Sequence, residues 1–151
     1  MNGPGRSAKV VMAVLMTSFL FACSAEPPST LGIDDGRLAD CPDRPNCVSS
    51  DAGDIEPYQF AIDQAAAWSA LQDAVAALPR TEIITADDRY LHAEAKSRIF
   101  GFVDDLEFQL RPEENLIALR SGARTGYSDF GVNAERLETL RRQLQEGGVL
   151  P

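Results

Sequence analysis

Two neighbouring stretches of the chain, 90–96 and 102–110, alternate apolar and polar side chains, and this pattern limits the fold more than any other feature. The apolar positions are Leu91, Ala93 and Ala95 in the first stretch and Phe102, Leu106, Phe108 and Leu110 in the second. Successive side chains of a β-strand point to opposite faces, so the alternation predicts two half-buried strands. Their short connection favours an antiparallel pair.

Two more strands are expected on either side of this pair. Residues 81–85 form a short β-branched run, and residues 116–121 follow Pro112 and a polar turn. Both faces of the run at 116–121 are partly apolar, which indicates a more central position in the sheet.

A helix is predicted before the strands, at residues 64–78. Its apolar residues recur at steps of three and four: Ala65, Trp68, Leu71, Val75 and Leu78. Asp63 is the expected N-cap and Pro79 the expected stop, with Trp68 as an anchor in the core.

A second helix is predicted after the strands, from Asn133 to about Glu146. Asn133 is the expected N-cap, and Gly147 supplies the stop. Its other expected features are a buried stripe of Leu137, Leu140 and Leu144, a staple between Val132 and Leu137, and an ion pair of Glu138 with Arg142. The sequence therefore predicts an α+β domain, in which one antiparallel sheet of about four strands carries two helices on one face in the order α-β-β-β-β-α.

The N-terminus has the pattern of a signal peptide, assigned to residues 1–22. Arg6 and Lys9 precede an apolar run at 10–21, which is too short for a permanent membrane span. The run ends in Leu20-Phe21-Ala22-Cys23, which resembles a bacterial lipobox and predicts that Cys23 is lipidated. The alternative is an ordinary secretory signal with an incidental cysteine. A Ser at position 24 favours the outer membrane over the inner membrane.

Residues 23–40 have no regular period and are rich in Pro, Gly, Ser and Asp, which predicts a flexible tether before a domain at 41–151. Loss of Arg6 and Lys9 takes the net charge from −9 to −11. So acidic a chain is not expected to bind nucleic acid, and its membrane attachment is expected to come from acyl chains. The expected location is therefore membrane-anchored and facing the periplasm.

Cys41 and Cys47 are predicted to form a disulfide, because two cysteines at close spacing in an oxidising compartment usually pair. The alternatives are a zinc site with His92 and a redox-active pair. His92 is the single histidine of the chain, whereas zinc takes four ligands, and the cysteine spacing is not Cys-x-x-Cys. No metal and no cofactor is expected.

The stretch at 120–133 is the main candidate binding loop, because it places charged and aromatic residues among glycines between two regular elements. Its candidate binding residues are Arg120, Arg124, Tyr127, Ser128, Asp129 and Asn133. Outside the loop, Asp104, Asp105 and Arg98 are further candidate binding residues. Asp104 falls on the apolar face of its strand, so it requires a partner, and Arg98, Arg120 and Arg124 are the candidates. This pairing is either a structural ion pair or part of a pocket for a small polar ligand.

The remaining polar positions of the two alternating strands are expected to face solvent. They are His92 in the first strand and Asp105, Glu107 and Gln109 in the second. Asp104, Asp105 and Asp129 are also candidates for paired catalytic carboxylates. Ser128 does not fit a nucleophile elbow, since Phe130 stands where glycine is required.

Several motifs together resemble the DUF1499 family. They are Cys-Pro-Asp-Arg-Pro-Asn-Cys-Val-Ser-Ser at 41–50, Phe-Gly-Phe-Val-Asp-Asp-Leu-Glu-Phe at 100–108, and the candidate loop at 120–133. The resemblance covers about residues 41–145 and implies no established activity. Many members have a basic residue where this chain has Ala134.

The expected function is a membrane-anchored envelope module that binds a small ligand or an envelope protein through the loop face. The alternatives are a small hydrolase-like or transferase-like enzyme that uses the Asp and Arg residues of this face, and a purely structural lipoprotein.

Overall fold

Residues 25–151, the part of the chain that the computed structural model describes, form eight β-strands and two α-helices. The strands are β1 (Ile33–Asp34), β2 (Arg37–Leu38), β3 (Cys47–Ser49), β4 (Tyr58–Gln59), β5 (Thr81–Ala86), β6 (Tyr90–Lys96), β7 (Val103–Arg111) and β8 (Leu116–Ala123). The helices are α1 (Gln64–Ala76) and α2 (Val132–Glu146). Within these residues, no helix is long and apolar enough to cross a membrane. Cys23 and the signal peptide lie outside the described residues.

The main sheet is antiparallel and has the strand order β3-β8-β7-β6-β5, with β4 also paired to β8. The α+β class and the antiparallel sheet are confirmed. The predicted number of about four strands is wrong, because the main sheet has six strands and β1 and β2 form a separate hairpin. The missed strands contain two or three residues each, which is too short to show a period of two.

The central hairpin has the expected register. Leu106 lies opposite Ser121 and Asp104 lies opposite Ala123. β8 is flanked by β7 on one side and by β3 and β4 on the other, which confirms its predicted central position.

The apolar core lies between the sheet and the two helices. Leu71 and Val75 of α1 and Leu137 and Leu140 of α2 are buried against the apolar face of the strands. The buried Tyr58 donates a hydrogen bond of 2.6 Å from its hydroxyl to the carbonyl oxygen of Leu137, which joins β4 to α2. Burial of this apolar layer is the main stabilising contribution to the fold.

Helix α1 follows the sequence pattern closely, except that Ala65 of the predicted stripe is exposed. The Asp63 side chain accepts hydrogen bonds from the backbone N–H groups of Ala65 and Ala66, as an N-cap does. The indole N–H of the buried Trp68 donates to the carbonyl oxygen of Asp87, which confirms its place in the core. The helix ends at Ala76, two residues earlier than predicted.

Helix α2 begins differently from the prediction. Gly131, with φ of 82°, is the N-cap, so the predicted N-cap Asn133 lies within the first turn and is fully buried. The carboxylate of Asp129 instead accepts hydrogen bonds from the backbone N–H groups of Gly131 and Asn133. An extra turn before the helix, held by Asp129, explains why the capping residue was misassigned.

Two other predictions for α2 need revision. Glu138 pairs with Arg141, not with Arg142, which donates to Thr139 instead. Val132 is exposed and does not form the predicted staple with the buried Leu137. The buried stripe that includes Leu137 is confirmed.

The second face of the sheet, opposite the helices, is polar yet buried, and it is called the polar face below. Asp105, Glu107 and Gln109 point to this face as predicted, but their predicted exposure to solvent is wrong. The predicted solvation of His92 is wrong for the same reason, since its exposed fraction is 5%.

Segment 25–40, which the sequence analysis treats as part of a tether, covers this polar face. The backbone N–H of Gly32 donates to Glu107, and the Gln109 amide donates to the carbonyl oxygen of Gly36. Leu38 of β2 is buried. Short polar segments that lack a regular period can therefore still be held in place by individual hydrogen bonds to buried side chains.

Candidate functional site

The polar face is built by register. His92 of β6 lies opposite Glu107 of β7, and Glu107 lies opposite Arg120 of β8. One step along the sheet, Glu94 lies opposite Asp105. Because alternate residues of each strand share a face, acidic and basic side chains are collected on one side of three neighbouring strands.

Arg124 is the centre of the first group of charges. Its guanidinium donates to both carboxylate oxygens of Asp105, at 2.9 and 2.7 Å, and also contacts Glu94. His92 Nε2 lies 2.7 Å from Asp105 Oδ1. Burial raises the pKa of Asp105, but the hydrogen bonds from Arg124 and His92 outweigh burial, so the pKa lies below its ordinary value. Asp105 is thus held as an anion, which suits an ion pair better than proton transfer near neutral pH.

The same group includes three side chains of types that bind metals. Ligand atoms of His92, Glu94 and Asp105 all lie within 4.8 Å of one another. The Arg124 guanidinium contacts both carboxylates, and it therefore supplies the positive charge that a metal ion would bring. The contacts favour an ion-pair network at this point.

Glu107 is the centre of the second group. Its side chain is fully buried and accepts hydrogen bonds from Arg120 Nη1 at 2.6 Å and from the Tyr90 hydroxyl at 2.8 Å. The backbone N–H of Gly32 is a third donor, at 2.8 Å. Burial raises the pKa of the Tyr90 hydroxyl, and the adjacent Glu107 raises it further, so Tyr90 remains a donor. These three hydrogen-bond donors compensate the desolvation cost of burying the Glu107 carboxylate.

A cavity of about 350 Å³ opens between this network and the disulfide loop, and it is called the disulfide pocket below. It is lined by Pro28, Thr30, Asp40, Cys41, Pro42, Arg44, Asn46, Cys47, Asp105, Arg120, Gly122, Ala123 and Arg124. The disulfide between Cys41 and Cys47 is confirmed, which excludes the alternative zinc site. A methyl group at Gly122 would lie 3.1 Å from Cys47 Sγ, so glycine allows the disulfide to pack against β8.

Two residues of the pocket lining each have a buried polar atom without a partner. Across residues 25–151, Asn46 Oδ1 and Arg120 Nε are the buried side-chain nitrogen and oxygen atoms without a hydrogen bond. The Asn46 side chain is oriented by its amide group, which donates to the carbonyl oxygens of Gly126 at 2.9 Å and of Ala123 at 3.4 Å. Buried polar groups are nearly always satisfied, so one free acceptor and one free donor on residues that line the same pocket are a specific signal.

The predicted pairing of Asp104 is wrong. Its partner is Arg136 of α2, whose Nη2 lies 2.8 Å from Asp104 Oδ2. Arg120 and Arg124 lie on the polar face, whereas Asp104 lies on the helix-facing side, and Arg98 is exposed in the turn after β6. Because successive residues of a strand point to opposite faces, Asp104 points away from Arg120 in β8 and from Arg124, which follows β8.

The other predicted site residues are divided between pocket and surface. Arg120, Arg124 and Asp105 line the disulfide pocket. Tyr127 is exposed, and the hydroxyl of Ser128 accepts from the N–H of Phe130, so both remain in the surface loop. Asp129 and Asn133 serve at the start of α2, where Asn133 Oδ1 accepts a hydrogen bond from the buried Ser121 hydroxyl at 2.5 Å.

Sequence reasoning missed Asn46, Glu94, Glu107 and His92 as members of the site. Asn46 could have been found from its place inside the Cys41–Cys47 loop, next to the candidate residues. Glu107 and His92 were assigned to solvent because the strand pattern gives no indication that the preceding segment covers their face.

These features define a small α+β domain with a buried, charge-paired sheet face and a pocket beside a disulfide. Residues 37–144 match the family model described as "Protein of unknown function (DUF1499)", and the chain belongs to this family. No curated protein and no solved structure matches the chain.

Proposed function

We propose that the protein is a membrane-anchored lipoprotein of the cell envelope whose disulfide pocket binds a small, neutral, polar ligand. The observation that supports this proposal most directly is the pair of unpartnered buried atoms, Arg120 Nε and Asn46 Oδ1, which belong to two residues that line one pocket. A ligand that accepts a hydrogen bond from the first and donates one to the second would satisfy both.

The charges of the pocket favour a neutral ligand over an anion. Arg120 is already paired with Glu107, and Arg124 with Asp105 and Glu94. An added anion would meet these buried carboxylates. The other arginine of the lining, Arg44, is exposed to solvent, and Asp40 belongs to the same lining. Primary amides and sugar hydroxyls carry the required acceptor and donor together, so they are the chemical classes that fit.

Binding is tested by thermal shift and by calorimetric titration with acetamide, glucose and acetate as probes. We expect acetamide or glucose to stabilise the protein and acetate to have a smaller effect. Arg120→Lys keeps a positive charge opposite Glu107 but removes the Nε–H, so it should abolish the stabilisation. Arg111→Lys is the matched control, because Arg111 is a buried arginine paired with Asp51 outside the pocket.

The result that would contradict binding is a stabilisation of equal size by all three probes, or one that persists in Arg120→Lys. The absence of any stabilisation would favour the structural alternative, and turnover of a probe would favour the enzyme alternative.

The envelope location is proposed from the lipobox-like sequence that ends at Cys23. Mass spectrometry of the mature N-terminus should show an acylated Cys23, and membrane fractionation should recover the protein preferentially with outer membranes. An unmodified N-terminus at another residue would contradict the anchor without affecting the pocket.

A further inference from the structure

Two loops of the domain expose large apolar side chains to solvent. Ile99 and Phe100 are 82% and 75% exposed in the turn between β6 and β7, and Phe130 is 94% exposed in the loop before α2. Phe102 and Tyr127 are exposed beside them in sequence, and these five residues are called the apolar tip below. The rings of Phe100 and Phe102 stack with centroids 5.5 Å apart. Exposed apolar side chains that lie together are typical of an interaction surface.

Both loops leave the same end of the sheet. The turn after β6 precedes Val103, the first residue of β7, and the backbone N–H of Arg124 donates to the carbonyl oxygen of Val103 at 3.0 Å. The disulfide loop ends here too, since Cys47 lies opposite Gly122. The opposite end of the sheet carries the turn at 112–115 and β4.

The described chain also begins near this end. Arg124 Nη1 donates to the carbonyl oxygen of Ala25 at 3.0 Å, so Ala25 is fixed beside the last row of the polar face. Cys23 precedes Ala25 by two residues, and two residues span at most roughly 7 Å. An acyl chain on Cys23 would therefore start close to the end of the domain that carries the apolar tip.

The charges around the tip are compatible with lipid headgroups. Arg98 is part of the turn itself, and the exposed Lys96 and Arg80 lie next to it. Glu82 and Glu94 share this surface, and Glu94 is paired with Arg124. Because the mature chain has a net charge of −11, long-range attraction to an anionic membrane is not the driving force, and burial of the aromatic side chains must supply it.

We propose that the apolar tip inserts into the interfacial region of the membrane that holds Cys23. The end of the domain that carries the tip would then always face the lipid surface. This inference rests on the acylation of Cys23 proposed above. Aromatic rings and basic side chains suit the headgroup region of a membrane. The acyl chains on Cys23 would hold the domain at the membrane, and the tip would fix its orientation there.

The test uses the mature acylated protein in vesicles of phosphatidylethanolamine and phosphatidylglycerol, with and without brominated acyl chains. Phe100→Trp places a fluorophore in the tip, and Ile62→Trp is the matched control. Ile62 is also an exposed apolar residue, but it follows β4 at the opposite end of the sheet. The buried Trp68 contributes the same background to both variants.

We expect brominated lipid to quench the fluorescence of the Phe100→Trp protein strongly and to leave that of the Ile62→Trp protein at the wild-type level. Equal quenching of both, or of neither, in protein that sediments with the vesicles would overturn the docking while leaving the anchor intact. A partner protein on the tip would give the second of these results. Protein with an unmodified Cys23 that stays in solution would overturn both the anchor and the docking.

Discussion

At the scale of single residues, the polar face is stabilised by matching each buried charge with a partner. Asp105 shows this most clearly, since Arg124 and His92 both contact it and its side chain is 2% exposed. Removing one member of a buried pair leaves the other charge without a partner. The stability lost in this way exceeds the stability that the intact pair contributes.

Asp105→Asn is therefore expected to lower the free energy of unfolding by about 3 kcal/mol, as measured by urea denaturation. Asp88→Asn, at an exposed position, is the control and should change it by less than about 0.5 kcal/mol. Similar small effects at both positions would show that the Arg124 network does not stabilise the fold.

Two other carboxylates should give pH dependences of opposite sign. The hydrogen bond from Arg111 lowers the pKa of Asp51, so its contribution to stability is present above the unfolded pKa and is lost as the pH falls through the folded pKa. Burial raises the pKa of Asp104 despite Arg136, so the folded state gains stability as the pH falls through that pKa.

Relative to Asp51→Asn, the wild-type protein should therefore lose stability on acidification below about pH 5. Relative to Asp104→Asn, it should gain stability over the acid range. Urea denaturation at a series of pH values measures both differences. Differences of the same sign would contradict the assignment of the partners.

At the scale of elements, the N-terminal hairpin is the unexpected component of the fold. β1 and β2 hold Leu38 against the sheet, while Ile33 of the same hairpin is exposed. Leu38→Ala should lower the free energy of unfolding by roughly 2–4 kcal/mol and speed amide exchange across the polar face. Ile33→Ala should have little effect on either measurement. Unchanged exchange in Leu38→Ala would mean that the hairpin does not protect this face.

The elements that were predicted correctly are those with a long, regular pattern. Seven residues of strict alternation gave the bounds of β6, and a buried stripe of Trp68, Leu71 and Val75 gave most of α1. The hairpin of β7 and β8 followed from Pro112 and its turn, with the register that places Leu106 opposite Ser121. Local periodicity and turn chemistry are sufficient for such elements.

The candidate site was predicted less well, because it depends on contacts between distant parts of the chain. Arg120 and Arg124 were identified, but their partners Glu107 and Asp105 were assigned to solvent. Whether a strand face is buried depends on what covers it, and here the cover is a segment with no period of its own. Asp104 was given the wrong arginine because its partner, Arg136, comes from a helix and not from the neighbouring strand.

At the scale of the whole molecule, the domain has three layers: two helices, a six-stranded sheet, and the N-terminal segment. The disulfide pocket and the apolar tip lie at one end of this assembly. If both proposals are correct, the pocket lies at the end of the domain that contacts the lipid surface.

The most direct test of the pocket is an NMR titration that observes arginine Nε–H signals, with acetamide and glucose as probes. The Arg120 signal, assigned by its loss in Arg120→Lys, should shift in a saturable manner while the Arg111 signal does not move. An Arg120 signal that stays fixed at saturating probe, or that moves together with the Arg111 signal, would contradict the proposal that this pocket binds a small polar ligand.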